Sequence, residues 1–394
     1  MSWTCPNCQL HLSEPVHPVR CHCGTVTDKD GKTISRGLGD KFANATKLIG
    51  IKPCGGCKQR QSTLNRVFPN KSQRADVLIL VPTGASSSFT DTRGDLLGDK
   101  LKQLKLSTVV HGVNASGSKQ ISELVASIRP QLVINQAMVL SSKRISELTG
   151  QHRRTKWLTI NHSSFADMIR VKNWLPQHVE FLALARDNSR CFYAHVDDRK
   201  FFERLNVPRA FHLPNCIRIP KSSATRELGD PLALSLVCRP DPLKNLPSQL
   251  IAAASIEKAT VLLSTSHDIE PQLGGFIRSL GLSLTRSPWQ TWQQYIDWIA
   301  EQVDIGLQVS FTESMNYVAL EHMLLGKPVC GSPAVRYLPQ RWQAQPDDPD
   351  AIASVIRELR DDYPAQSVLA QSVASEFAER NNAGFVRIIE KRVL

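Results

Sequence analysis

Short apolar runs, each opening onto a polar turn, recur from Ala75 onward. They predict buried strands at Asp76 to Val81, Ser107 to Gly112, Gln131 to Gln136, Trp157 to Asn161 and Phe181 to Arg186. A second series predicts strands at Leu232 to Cys238, Thr260 to Ser264 and Val303 to Val309. Apolar residues at helical spacing fall between them at Pro247 to Ile256 and Thr291 to Gln302, then at Met315 to Leu325. Gly326 and Pro328 stop the last helix, and Val329 opens another strand. Strand alternating with helix implies an α/β fold of parallel sheets covered on both faces. Two such series suit two domains, spanning residues 73–225 and 226–370, joined by the polar, proline-closed stretch from Pro220 to Pro231. No repeat of fixed period and no low-complexity segment interrupts them.

The densest candidate chemistry lies late in the second series. Val303 to Ser310 reads as a buried strand, and the helix after it carries Glu313 at its entrance and Glu321 further along. At about 1.5 Å per residue the two carboxylates stand about 12 Å apart along the axis, comparable to the span from sugar to ribose in a nucleotide-sugar. The amides of Ser314, Met315, Asn316 and Tyr317 would lie between them, where a helix start favours a diphosphate. Two glutamates on the solvated face of an amphipathic helix give the same spacing, so the pair gains meaning only from its surroundings. Upstream, the strand Leu232 to Cys238 runs into Arg239, with Lys244 five positions on. Such cations also occur as plain surface residues. In a dry cleft they would stabilise a leaving diphosphate without a metal.

Together these residues resemble the retaining glycosyltransferases of the two-domain GT-B fold, family 4-like. The shared features are two glutamates separated by seven residues, an apolar helix, and the strand entry Gly326-Lys-Pro328-Val. The resemblance implies two Rossmann-like domains, with the donor in the cleft between them. It also implies roles: Glu313 on the donor sugar, Glu321 on the ribose hydroxyls, Arg239 and Lys244 on the diphosphate. His162, in the turn after Trp157 to Asn161, would approach the sugar from the opposite domain, although a lone histidine there also serves as an ordinary hydrogen-bonding residue. The strand ending in Pro214-Asn215 would mark the crossover between domains, and residues 371–394 would form a helix packing back toward the first. Ser314 and Asn316 replace glycines common in the family, which leaves the sugar open; UDP-glucose is the favoured donor. With no carboxylate nucleophile evident, same-face attack by the acceptor is the expected route.

The first 72 residues follow another pattern. Cys5 and Cys8, Cys21 and Cys23, and Cys54 and Cys57 place six of the ten cysteines in close pairs. Thiolates so spaced match a tetrahedral structural zinc, for which Cys5, Cys8, Cys21 and Cys23 form the first candidate set. Cys54 and Cys57 could complete another site, join His11, His17 or His22, or hold no metal. An iron-sulfur cluster or a redox pair would use the same residues. The stretch from Lys52 to Asn65 also resembles a short cysteine module of bacteriophage proteins.

Charge bears on the acceptor. Residues 1–75 hold 12 Lys or Arg against 4 Asp or Glu, so most of the chain's net +12 sits in this small module. That asymmetry suits a phosphate backbone, and it also suits a solvated basic face with few aromatics, Trp3, Phe42 and Phe68 among them. The expected acceptor is DNA carrying a hydroxylated base such as 5-hydroxymethylcytosine. A glycan or lipid-linked acceptor is the rival, and a DNA-binding protein on an inactive transferase body is another. No apolar run is long enough to span a bilayer. The expectation is a soluble, cytoplasmic protein, in the host cytoplasm if phage-encoded.

Overall fold

In the computed structural model, the described residues are 74–82, 88–113, 118–196, 204–221 and 227–394, with four two-residue strands before them. Those strands pair antiparallel, Trp3–Thr4 with His11–Leu12 and Val19–Arg20 with Val26–Thr27. Cys5, Cys8, Cys21, Cys23, Cys54 and Cys57 lie outside the described residues, so the zinc expectation does too. Among the described residues no cluster of His, Cys, Asp or Glu could hold a metal, and Cys191, Cys216, Cys238 and Cys330 are buried and form no disulfide.

Two parallel sheets carry the fold. The first contains β1 (Val77–Pro82), β2 (Thr108–Val113), β3 (Leu132–Gln136), β4 (Lys156–Asn161), β5 (Cys191–His195) and β6 (Ala210–His212), in the order β6-β5-β4-β3-β1-β2. The second contains β7 (Leu232–Cys238), β8 (Ala259–Thr265), β9 (Ser283–Ser287), β10 (Ile305–Gln308) and β11 (Val329–Gly331), in the order β9-β8-β7-β10-β11. Continuous apolar strands such as Val77-Leu-Ile-Leu-Val81 form because both faces are covered. Leu78 and Leu80 pack with Val133, Trp157 and Tyr193 on one side, while Val77, Ile79 and Val81 meet Leu97, Leu101 and Phe385 on the other.

The run Phe181 to Arg186 is not a strand. It ends the helix Trp174–Asp187, whose His178, Phe181 and Ala185 are buried at helical spacing. A short Phe, Leu and Ala run has no periodicity that separates a buried strand from a buried helix, and leucine and alanine favour the helix. The strand of this region is β5, whose Cys-Phe-Tyr-Ala-His sequence drew no prediction.

One long helix ties the two sheets together. Helix Tyr363–Arg392 seats Ala370, Ala374 and Ala378 in the core of the second sheet, where small side chains allow close approach. Its far end places Phe385, Ile389 and Val393 in the core of the first. Between them, Asn382 accepts from Ile217 N at 2.9 Å and donates to Ile217 O at 3.1 Å, fixing the helix to the segment that crosses between sheets.

Candidate functional site

The site forms where the loops after β7 and β10 meet. After β7 the chain makes a single turn, Pro242–Lys244, capped by Asp241, and Asn245 then adopts a left-handed conformation at φ 52°. Asn245 Nδ2 donates to Val309 O at 3.2 Å, and Gln249 Oε1 accepts from Val309 N at 2.9 Å. Gln249 Nε2 returns to Lys244 O at 2.8 Å. The two loops are therefore locked together by buried amides before any ligand arrives, which is preorganisation in the physical sense.

That lock brings Lys244 to Glu313. Lys244 Nζ donates to Glu313 Oε1 at 2.6 Å, and Asn316 Nδ2 donates to the same oxygen at 3.0 Å. The carboxylate is buried while the lysine is partly exposed, so the cation is the member that solvent or ligand can reach. Arg239 does not join them: it is exposed at the end of β7, with no ion-pair partner among the described residues.

The helix after Glu313 starts later than its sequence predicts. It spans Tyr317–Leu324, with Asn316 as its cap accepting from Ala319 N at 2.8 Å. Ser314, Met315 and Asn316 thus form a turn ahead of the helix, and Ala319's amide is taken by Asn316 rather than left for an anion. Asparagine is a strong N-cap because its side-chain oxygen fills this role. Its Nδ2 also reaches Gln308 Oε1 at 2.9 Å, so one residue caps the helix and holds Glu313.

Glu321 is buried on that helix, where its Oε1 accepts from Trp292 Nε1 at 2.7 Å. The Arg218 guanidinium lies 4.7 Å from the Trp292 ring centroid, a cation–π contact. The adjacent Tyr295 hydroxyl is pushed well above its usual pKa by burial and then by the Glu321 charge. Burial, then Glu313 and Glu321, do the same to Tyr337, whose hydroxyl donates to Asn316 O. Both phenols stay protonated. His322, buried beside Ser235 with Nε2 accepting from its Oγ at 2.6 Å, falls to about 4 through burial and serves packing.

The opposite lobe meets this site at several points. Ser314 Oγ donates to His162 O at 2.6 Å, and His162 Nδ1 donates to Asn215 Oδ1 at 3.0 Å. A second tie across the cleft joins Arg170 to Asp241 at 2.7 Å. Met315 packs against the core of the second sheet, and Tyr317 Oη donates to Cys216 O at 3.4 Å.

Among the predicted residues, Lys244, Glu313 and Asn316 form one connected group, and Ser314, next to Glu313 in the chain, joins His162 in another. Glu321 belongs to a separate cluster with Trp292. Sequence reasoning missed Asn245, Gln249, Trp292 and Arg218. The Lys244-Asn245 step was visible, but only the fold shows that its amide reaches Val309.

No family model and no curated protein matches the chain. Solved structures do. Sucrose-phosphate synthase from Thermosynechococcus elongatus is 15% identical, with a TM-score of 0.58 over 79% of this chain and 95% of that one. Anabaena Alr3699/HepE in complex with UDP and glucose is 14% identical, with a TM-score of 0.60 over 81% of this chain and 100% of that one. An apo structure of OtsA is 12% identical, with a TM-score of 0.60 over 80% and 98%. At these identities the likeness is one of fold: two parallel α/β domains facing each other, the GT-B arrangement.

Proposed function

We propose that the chain is a retaining glycosyltransferase that moves a hexose from a nucleoside diphosphate sugar, UDP-glucose favoured, to a hydroxyl acceptor. The observation that carries this reading is the partly exposed Lys244 ammonium, set 2.6 Å from the buried Glu313 carboxylate at the C-terminal ends of two parallel strands. Ligands of open parallel sheets bind at such strand ends. The similar fold of Alr3699/HepE, whose structure holds UDP and glucose, supports the donor class.

In this reading Lys244 turns to the diphosphate and Arg239 joins it from the cleft rim. Glu313, held by Asn316, hydrogen-bonds the sugar, and Glu321 exchanges Trp292 for the ribose hydroxyls. Ser314, Met315 and Tyr317 line the phosphate path, while His162 faces the sugar from the first sheet. The bond from the anomeric carbon to the diphosphate oxygen breaks with its electron pair passing to the diphosphate. The acceptor hydroxyl forms the new bond on the same face, and its proton goes to the departing phosphate oxygen. The cations stabilise the charge that grows on the leaving group.

The acceptor in this proposal is a hydroxymethylated base in DNA, 5-hydroxymethylcytosine first, supported by the basic character of residues 1–75. A structural zinc on Cys5, Cys8, Cys21 and Cys23, with Cys54 and Cys57 as alternatives, would order that segment for contact with the backbone. Labelled UDP-glucose is offered with hydroxymethylated duplex, unmodified duplex and a lipid extract. Label on the hydroxymethylated duplex alone is the expected result. Label in the lipid would move the acceptor to another class, and UDP-glucose left intact with every acceptor would overturn the enzyme reading.

A further inference from the structure

A second concave surface lies beside the donor loops and shares Ser314, Met315 and Asn316 with them, while its arginines take none of the roles above. It is a cavity of about 840 Å3 between the end of β6, the turn after β11 and the C-terminal half of helix Tyr363–Arg392, and Ser314, Met315 and Asn316 form part of its wall. Four arginines line it: Arg336 from the turn after β11, and Arg380, Arg387 and Arg392 from the helix. No Asp or Glu occurs among the described residues that line it.

The placement of these charges follows from helical periodicity. Phe377, Arg380, Asn381, Gly384, Arg387, Ile388 and Arg392 repeat at three- and four-residue steps and share the face turned to the cavity. Ala378, Asn382, Phe385 and Ile389 occupy the buried face. Glu376, Glu379 and Glu390 are exposed and line no part of the cavity, although Glu376 reaches Arg380 at 3.8 Å. Arg387 and Arg392 have no ion-pair partner among the described residues. The backing is rigid, since Asn382 clamps the helix to Ile217 and Gly384 lies against Pro214, where a Cβ would stand 3.2 Å from the ring.

Aromatic rings are set among the cations. The Tyr337 and Phe377 rings pack with centroids 4.6 Å apart, and the Arg380 guanidinium lies 5.6 Å from the Phe377 centroid. Guanidinium groups interleaved with aromatic faces fit a single strand, whose phosphates need fixed cations and whose bases need flat apolar partners. A small anion would use the charges and leave the rings idle. A lipid surface would need an outward-facing apolar belt rather than a concave wall.

We propose that this groove holds the phosphodiester strand of a nucleic-acid acceptor next to the base being modified. This deepens the reading above and rests on it for the transfer step, though not for the binding. An enzyme that modifies a base must take it out of the stack, so the strand on either side needs its own grip. The shared wall of Ser314 to Asn316 brings that grip next to Glu313.

The test uses the full chain and a fluorescent single-stranded oligodeoxynucleotide of about a dozen residues at about 50 mM salt. Arg380→Ala combined with Arg387→Ala changes two exposed side chains and should leave the fold intact. We expect affinity to fall at least about tenfold and the salt slope to flatten by about 1.4, two phosphate contacts on a single strand. Uridine diphosphate binding should be unchanged. Photocross-linking with a bromouracil-bearing strand should map to Tyr337 or Phe377. Unchanged affinity in the double variant together with cross-links confined to residues 1–75 would overturn the proposal. So would a loss of binding to anionic vesicles with oligonucleotide binding intact. Failure of wild-type protein to take up either uridine or guanosine diphosphate would sink the donor reading alone, because strand binding is read without a donor.

Discussion

The two sheets present unlike rims to the cleft they share. On the second, the loops after β7 and β10 are closed by satisfied hydrogen bonds: Asn245 and Gln249 on Val309, Asn316 on Gln308 and Glu313, Lys244 on Glu313. On the first, the loop after β3 holds Ala137 and Met138 in consecutive left-handed conformations, φ 53° and 54°, which is costly for side chains with a Cβ. Asn135 supports that loop by accepting from Leu140 N and donating to Leu140 O. Beside it Gln136 is fully buried, with neither amide atom hydrogen-bonded. One rim is finished before a ligand arrives, and the other keeps strain and unmet hydrogen-bonding capacity. In the proposed reading the finished rim is the donor side and the strained rim belongs to the lobe facing the acceptor.

The comparison breaks most sharply at Lys244. Lys244→Ala should lower transfer by about 100-fold or more, the scale for removing a preorganised charge from a transition state. It also leaves the buried Glu313 carboxylate without its cation, so the variant's Tm should fall, while Glu313→Gln together with Lys244→Ala should recover it. Turnover close to wild type in the single variant would remove the finished-rim account of catalysis.

Asn245→Ala should have the next largest effect. It takes away the amide that ties the two donor loops and leaves alanine in a left-handed conformation, for a loss of about 1–3 kcal/mol in a denaturant melt and a raised donor KM. Trp292→Phe keeps the ring under Arg218 but removes the donor to Glu321. Because the ribose hydroxyls would displace that donor from Glu321, the variant should lower donor KM by up to about tenfold, the worth of one hydrogen bond to a charged group, and lower Tm by taking a partner from a buried carboxylate.

Acid should treat the two lobes alike. His178 in the first and His322 in the second are both depressed by burial from 6.5 to about 4, so each is neutral in the fold and binds its proton more readily when unfolded. Their contribution is fully present above pH 6.5 and is lost as pH falls toward 4, for up to about 3 kcal/mol each. Melts followed from pH 7 to 4 should show this decline, and a flat Tm would contradict it. The smallest effect belongs to Gln136→Leu, which exchanges an unpaired buried amide for a side chain of similar volume. Tm should hold or rise by a few degrees, since removing an unsatisfied polar group is neutral or stabilising.

The second lobe was also the more legible in sequence. Its strands announce themselves as unbroken apolar runs, and Lys244 and Glu313, both singled out in sequence and far apart in the chain, lie together where their strands end. The start of the helix was misread because Asn316 caps it from outside, accepting from Ala319 N, a local effect that apolar spacing does not register. Trp292 stayed hidden because its bond to Glu321 spans helices from different parts of the sheet. In the first lobe the apolar run of Phe181 to Arg186 concealed a helix, and β5 mixes Cys, Tyr and His, which buried hydrogen bonds rather than hydrophobicity support. Tyr193 Oη there meets Asn161 at 2.9 Å and His178 at 2.6 Å. Arg239 shows the opposite failure, a residue well placed in sequence whose side chain stays outside the contact network.

Calorimetric titration of uridine diphosphate and guanosine diphosphate into the full chain and into Lys244→Met tests the donor site most directly. The account predicts saturable binding of one of them by the wild-type chain and at least about a tenfold loss in the variant, the cost of a charge-assisted hydrogen bond. Equal affinity in both proteins, or no binding by a folded wild-type chain, would contradict it.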